Sequence, residues 1–201
     1  MTALGRALAR IAEALHRHNV DFAVVGGLAV SVRAEPRMTR DAEVAVLVGS
    51  DDDAEALLFR LMSDGFVVDT AIEQIANGRL ATARLRHPES GSLVTDLLFA
   101  SSGIEPEVVA SANSVEVLPG LRLPVASVGF LIALKLLARD DRQRPNDADD
   151  LASLRAVATG ADWLESAHAV QLIEQRGYHR DRDLQAALDK LRRNGAYGPD
   201  E

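Results

Sequence analysis

Apolar residues recur at helical spacing from the start of the chain. Leu4, Leu8, Ile11 and Leu15 fall on one side, with Arg6, Arg10, Glu13 and Arg17 on the others, which predicts a helix over residues 3–18. DFAVVGG then reads as a short apolar strand closing on two glycines, and LAVSVRA as a short helix. EPRMTRD is a polar turn, followed by VAVLV, a strongly β-prone buried strand. Residues 51–62 return to the helical period. Asp51, Asp52 and Asp53 crowd the start of that helix, where acids suit the dipole, and Leu57, Leu58 and Leu61 form its apolar side. FVVD, LATARLR and SLVTDLLF are strand-like, and the turn signal HPESG makes the last two a hairpin. VEVLPGLRLPV suggests two short strands around Pro119-Gly120. From Ser127 the pattern is helical in four segments: SVGFLIALKLLAR, NDADDLASLRAVA, DWLESAHAVQLIEQR and DRDLQAALDKLRR. The expected class is α+β, with an αβ domain over residues 1–125 and a helical lobe over residues 126–201 packed on it.

Composition narrows the class of protein. With 201 residues, 47% of them hydrophobic and 26% charged, the chain has enough apolar material for a core of its own. No apolar run approaches the ~20 residues of a membrane span, and the first helix lacks the unbroken apolar stretch of a signal peptide, so the expected location is the cytoplasm. The absence of cysteine excludes disulfides and thiolate metal sites. His16, His18 and His87 lack partners at metal-ligand spacing, which argues against a metallohydrolase. The formal net charge of -8 argues against bulk electrostatic binding of nucleic acid, but leaves room for a local basic patch or for an acidic site that grips phosphates through a divalent cation.

Three groups of residues could carry chemistry. Gly26 and Gly27 follow a strand and open a helix, where backbone amides can approach phosphates closely. Asp41 and Glu43, two apart at the start of the next strand, project to one side and suit Mg²⁺. Alone, these read as a turn and two solvated acids at a strand end. Asp96 stands in the apolar run SLVTDLLF, where an unpaired carboxylate is costly. Beside the strand of Asp41 and Glu43 it would be a third metal ligand, or the base that deprotonates an attacking hydroxyl; otherwise it sits exposed on an edge strand. Lys135, inside LIALKLLA, either snorkels to water or reaches a phosphate. Downstream, Asn146 suits a helix start, and Asp147 and Asp150 share one face of that helix, while Asp149 is explained by the dipole alone. Arg33, Arg37 and Arg40, and further on Arg139, Arg142 and Arg144, are either surface arginines or phosphate contacts.

In order and spacing, VVGGLAVSVRAEPRMTRDAEVAVLV, VTDLLF and LPVASVGFLIALKLLARDDRQRPNDADDL resemble the AbiE-type nucleotidyltransferase toxins, including the mycobacterial MenT group. The resemblance implies a DNA polymerase β-like nucleotidyltransferase fold with a mixed sheet and a C-terminal helical lobe, and an antitoxin protein as partner. It implies Mg²⁺-dependent transfer of a nucleotide, expected to be a pyrimidine, from a nucleoside triphosphate to the 3′ acceptor end of tRNA. Gly26 and Gly27 match the family's glycine turn, Asp41 its first metal ligand and Asp96 its third carboxylate. Lys135 matches the phosphate-contacting lysine, and Asp147 and Asp150 the late D-x-x-D element, with Asp150 the more important. The expected catalytic set is thus Asp41, Glu43, Asp96, Lys135 and Asp150. Nucleotide contacts are expected from Gly26, Gly27, Arg40, Lys135 and Asp147, and metal ligation from Asp41, Glu43 and Asp96. Glu43 departs from the family's usual aspartate and must re-space the site by one methylene. Thr39, two residues before Asp41, is a candidate phosphosite, since a phosphate there would repel the triphosphate. Two other functions fit the same residues: nucleotidyl transfer to a small-molecule or protein hydroxyl, and a degenerate nucleotide-binding module without turnover.

Overall fold

The structure, a computed structural model, describes residues 2–39, 41–74, 78–91, 93–139 and 146–194. It is α+β, as the alternation of periods predicts. The chain begins with α1 (Ala3–Arg17), where the Thr2 hydroxyl accepts a hydrogen bond from the Gly5 amide and caps the first turn. There follow β1 (Phe22–Val25), α2 (Gly26–Arg33), β2 (Asp41–Val46) and α3 (Asp51–Ser63), the last capped by Ser50. Next come β3 (Val67–Glu73), β4 (Leu80–Arg86), β5 (Val94–Leu98), α4 (Glu105–Ser111), β6 (Asn113–Leu118) and β7 (Leu121–Val125). The chain continues as α5 (Val128–Ala138), α6 (Asn146–Val157), α7 (Gly160–Gln175) and α8 (Leu184–Asn194).

One seven-stranded sheet organises these elements in the order β3-β4-β5-β2-β1-β7-β6. It is mixed: β2 runs parallel to β5 and β1 parallel to β7, while the other neighbours are antiparallel. Alternation decides what each face carries. On β2, Ala42, Val44 and Val46 are fully buried, whereas Asp41 is exposed and Glu43 half-buried on the opposite face. The predicted hairpin forms, with a single 3-10 turn at Pro88–Ser90 between β4 and β5.

α4 is an element that the apolar pattern does not announce. It is only seven residues long and opens on Glu105 and Pro106, too short for a periodic signal. The apolar core is continuous. It joins Leu8, Ile11 and Leu15 of α1, the inner strands, Leu131 and Ile132 of α5 and Leu151 and Leu154 of α6. No helix among the described residues is long and apolar enough to cross a membrane.

Candidate active site

Sheet register brings the glycine turn and two of the acids side by side. Val25 of β1 pairs with Glu43 of β2, and Glu43 pairs with Asp96 of β5. Gly26, the residue after Val25, has φ +66°. A side chain there would be strained in this left-handed conformation, and its Cβ would also collide with the carboxylate of Glu43. Gly27 has a different reason for lacking a side chain. A Cβ would meet the guanidinium of Arg37 and lie 3.1 Å from the methyl of Thr39. The turn that carries Arg37 and Thr39 is folded back on α2 by Ser31, whose hydroxyl donates to the carbonyls of Gly27 (3.0 Å) and Arg37 (3.2 Å).

Gly26, Glu43 and Asp96 line a cleft of about 610 Å³ between the sheet and α5, together with Arg84 and Lys135. Ala45, Leu98, Leu131 and Leu134 add apolar wall, and Ser101, Ser102, Glu105 and Arg180 add polar groups. Asp41 begins β2 two register positions before Glu43, opposite Val94.

Asp96 is paired. Arg84, its register partner on β4, donates from Nε and from a terminal nitrogen to the two carboxylate oxygens, both at 2.7 Å. Hydrogen bonding to Asp96 raises the Arg84 guanidinium above its ordinary value, and the charges of Asp96 and Asp41 add to this. An acid inside an apolar strand is therefore tolerated because an arginine faces it from the next strand. Arg84 carried no weight in the sequence, although its place in LATARLR, opposite Asp96 in the predicted hairpin, was a usable signal.

Lys135 is held from behind. Its ammonium donates to Asp147 Oδ1 at 2.7 Å and lies 2.8 Å from Asp150 Oδ2. Burial lowers the lysine, but the hydrogen bonds and charges of the two acids outweigh it and hold the group above its ordinary value. Asp150 is also gripped by Arg37, through Nε at 2.5 Å and a terminal nitrogen at 2.8 Å. Burial pushes Asp150 up, and Arg37 and Lys135 together hold it below the ordinary carboxylate value. Only 1% of the Asp150 side chain is exposed, and neither it nor Asp147 lines the cleft. The chain Arg37–Asp150–Lys135–Asp147 thus fastens the turn between α2 and β2, which packs on Gly27, to α5 and α6.

Of the remaining sequence candidates, Arg33 ties α2 to β7, donating to the carbonyls of Ala126 (2.9 Å) and Val125 (2.6 Å) and to Asn113 (2.7 Å). Arg40, Arg142 and Arg144 lie outside the described residues. Glu105 went unnoticed in the sequence. It is buried in the cleft wall, accepts from the amide (2.7 Å) and hydroxyl (2.9 Å) of Ser102, and is pushed up by burial against those hydrogen bonds.

The donor chemistry suits a divalent cation. Glu43 and Asp96 are adjacent carboxylates on one face of the sheet, and a guanidinium already balances Asp96 as a stand-in cation. Asp41, the other expected ligand, lies two register positions away, and among the described residues no three metal-ligating side chains are gathered on one point. Mg²⁺ commonly takes one or two carboxylates and completes its shell with water and substrate phosphates.

A glycine turn at a helix start, beside acids on neighbouring strands of a mixed sheet, defines a nucleotidyltransferase fold. A crystal structure of an antigenic nucleotidyltransferase-like protein from Paracoccidioides brasiliensis is similar over 92% of this chain and 92% of its own, at 19% identity and a TM-score of 0.53. Two further solved structures are more distantly similar. The lincosamide adenylyltransferase LnuA with lincomycin bound has 14% identity, 76% and 97% coverage and a TM-score of 0.46. The solution structure of ANT(2'')-Ia has 17% identity, 92% and 86% coverage and a TM-score of 0.43. No curated protein matches the chain. The family described as "Nucleotidyl transferase AbiEii toxin, Type IV TA system" matches residues 6–199. The chain belongs to that family.

Proposed function

We propose that this chain is the toxin of a toxin–antitoxin pair and transfers a nucleotide, a pyrimidine in our reading, from a nucleoside triphosphate to the 3′-hydroxyl at the acceptor end of tRNA. The observation that carries the transfer chemistry is the register Val25–Glu43–Asp96, which sets the glycine turn against two carboxylates in the wall of one cleft. Family membership supports the antitoxin partner. A cytoplasmic location belongs to the same proposal, since both substrates are found there.

Each residue then has a task. The amides of Gly26 and Gly27, at the positive end of α2, receive phosphate oxygens. The acceptor 3′-oxygen forms a bond to the α-phosphorus, the bond from that phosphorus to the bridging oxygen breaks, and pyrophosphate leaves. Asp96 takes the proton from the acceptor hydroxyl. Lys135, kept charged by Asp147 and Asp150, offsets the charge that grows on the leaving pyrophosphate. Glu43 and Asp96, with Asp41 two residues away on β2, would hold Mg²⁺, which when bound polarises the phosphates and offsets their charge. Asp150 acts through the two cations it holds, Lys135 and Arg37. A phosphate on Thr39, beside Gly27 and two residues from Asp41, would add about two negative charges where the triphosphate must bind.

The test is incubation with Mg²⁺, each labelled nucleoside triphosphate and total tRNA, in parallel with Asp41→Ala and Asp96→Asn. Label in tRNA that both variants lose is the expected result. Label that survives in them, or none in any RNA, overturns the proposal. The net charge of -8 favours a second acceptor, a small-molecule hydroxyl, because it weakens long-range attraction for RNA. Label recovered in a small product and not in tRNA would establish it.

A further inference from the structure

Arg84 is more than a brace between strands. β4 and β5 already share five register pairs, from Thr82–Leu98 to Arg86–Val94. An ion pair whose arginine side chain is 48% exposed adds little to stability. Its placement is what stands out: the guanidinium lines the cleft, occupies both oxygens of Asp96 and feels the field of Asp41. Those are the carboxylates that would otherwise face a divalent cation. Arg84 already takes one lone pair on each oxygen of Asp96, so a divalent cation that enters competes with the guanidinium for that carboxylate. Once released, the arginine is still a cation on a long side chain in the cleft that takes a triphosphate, and a guanidinium matches phosphate oxygens in pairs.

We propose that Arg84 is the resting counter-ion of Asp96, displaced when a divalent cation enters, and that it then grips the triphosphate. This rests on the nucleotidyl-transfer function proposed above. It couples the two ligands, because metal alone must compete with Arg84, whereas metal arriving with triphosphate gives Arg84 a new partner.

The prediction is a reversal of sign. Mn²⁺ binding to the full chain, followed by electron paramagnetic resonance, should tighten roughly three- to fivefold in Arg84→Gln, since the competing cation is gone. Binding of inorganic triphosphate in saturating Mn²⁺, measured by calorimetry, should weaken by a similar factor in the same variant. Arg84→Lys, which keeps the charge but not the paired geometry, should fall between. Arg86→Gln is the control. It removes the same charge two residues away, where Arg86 pairs with Asp69, and should leave both affinities within about twofold. Arg84→Gln that moves both affinities in one direction, or moves neither, overturns the proposal. So does an equal effect in Arg86→Gln, which would mean that bulk charge alone is at work. If the wild-type chain binds no Mn²⁺–triphosphate at all, the nucleotidyl-transfer function itself fails. If it binds and Arg84→Gln is indistinguishable from it, only the role of Arg84 fails.

Discussion

Replacing Asp150 by alanine removes the acid that joins Lys135, in the wall of the cleft, to Arg37. The carboxylate is 1% exposed and makes two bonds to Arg37 and a contact with Lys135. Removing one partner of a buried ion pair destabilises by about 3–5 kcal/mol, because the other charge stays buried. Two features of the structure lower that figure. Lys135, whose side chain is 9% exposed, retains Asp147, and Arg37, at 28%, can turn toward water. The expected loss is therefore about 2–3 kcal/mol, a fall in melting temperature of roughly 5–10 °C for a chain of this size. Asp147→Ala should lose only about 1 kcal/mol. It gives up one hydrogen bond but also removes Oδ2, a buried oxygen without a partner among the described residues. Urea and thermal unfolding of both variants give the comparison. An Asp150→Ala variant within about 1 kcal/mol of wild type, or less damaged than Asp147→Ala, would refute the idea that Asp150 is the clamp.

The same network fixes a pH dependence. Asp150 is held below its ordinary value of 3.8, so its contribution is present above that pH and lost as pH falls through the folded value. Lys135 is held above 10.5, so its contribution is complete below that pH and lost as pH rises through the folded value. The stability gap between wild type and Asp150→Asn should be flat between these limits and narrow beyond them, as read by urea titrations across pH. Glu105 has the opposite sign, since burial raises it above 4.5 and the ionised form is the disfavoured one. Glu105→Gln should equal or exceed wild type in stability at neutral pH, and lose that advantage as pH falls toward 4.5. Gly26→Ala should destabilise by about 1–2 kcal/mol from φ alone, and should also weaken Mn²⁺ binding by displacing the Glu43 carboxylate.

Much of the fold is visible in the sequence because each long element announces its own period. The first helix, the strand ending in Gly26-Gly27 and the apolar helix around Lys135 all follow from local pattern, and the β4–β5 hairpin follows from its turn residues. The proximity of Glu43 and Asp96 is not local. It depends on β5 inserting beside β2 in parallel, a pairing between segments about 50 residues apart that no periodicity records. Partners were harder to see than positions. Asp96 stands out because an acid in an apolar strand demands compensation, but the compensating group, Arg84, looks like any outward arginine until the hairpin register is known. Asp147 and Asp150 look like dipole-complementing acids at a helix start, and only the packing of α6 against α5 and the glycine turn makes them counter-ions. Glu105 was hidden by the shortness of α4.

Gly26 and Glu43 share one volume, and that makes them a single unit of variation. A glycine keeps room for the glutamate, and the glutamate fills the space the glycine leaves. Shortening Glu43 to aspartate withdraws the carboxylate by one methylene and relieves the collision at residue 26, while the strain of its left-handed backbone remains. In a double-mutant cycle the two positions should therefore couple, with Glu43→Asp softening Gly26→Ala. A lineage moving between the two acids would find its tolerance at residue 26 changing with each step.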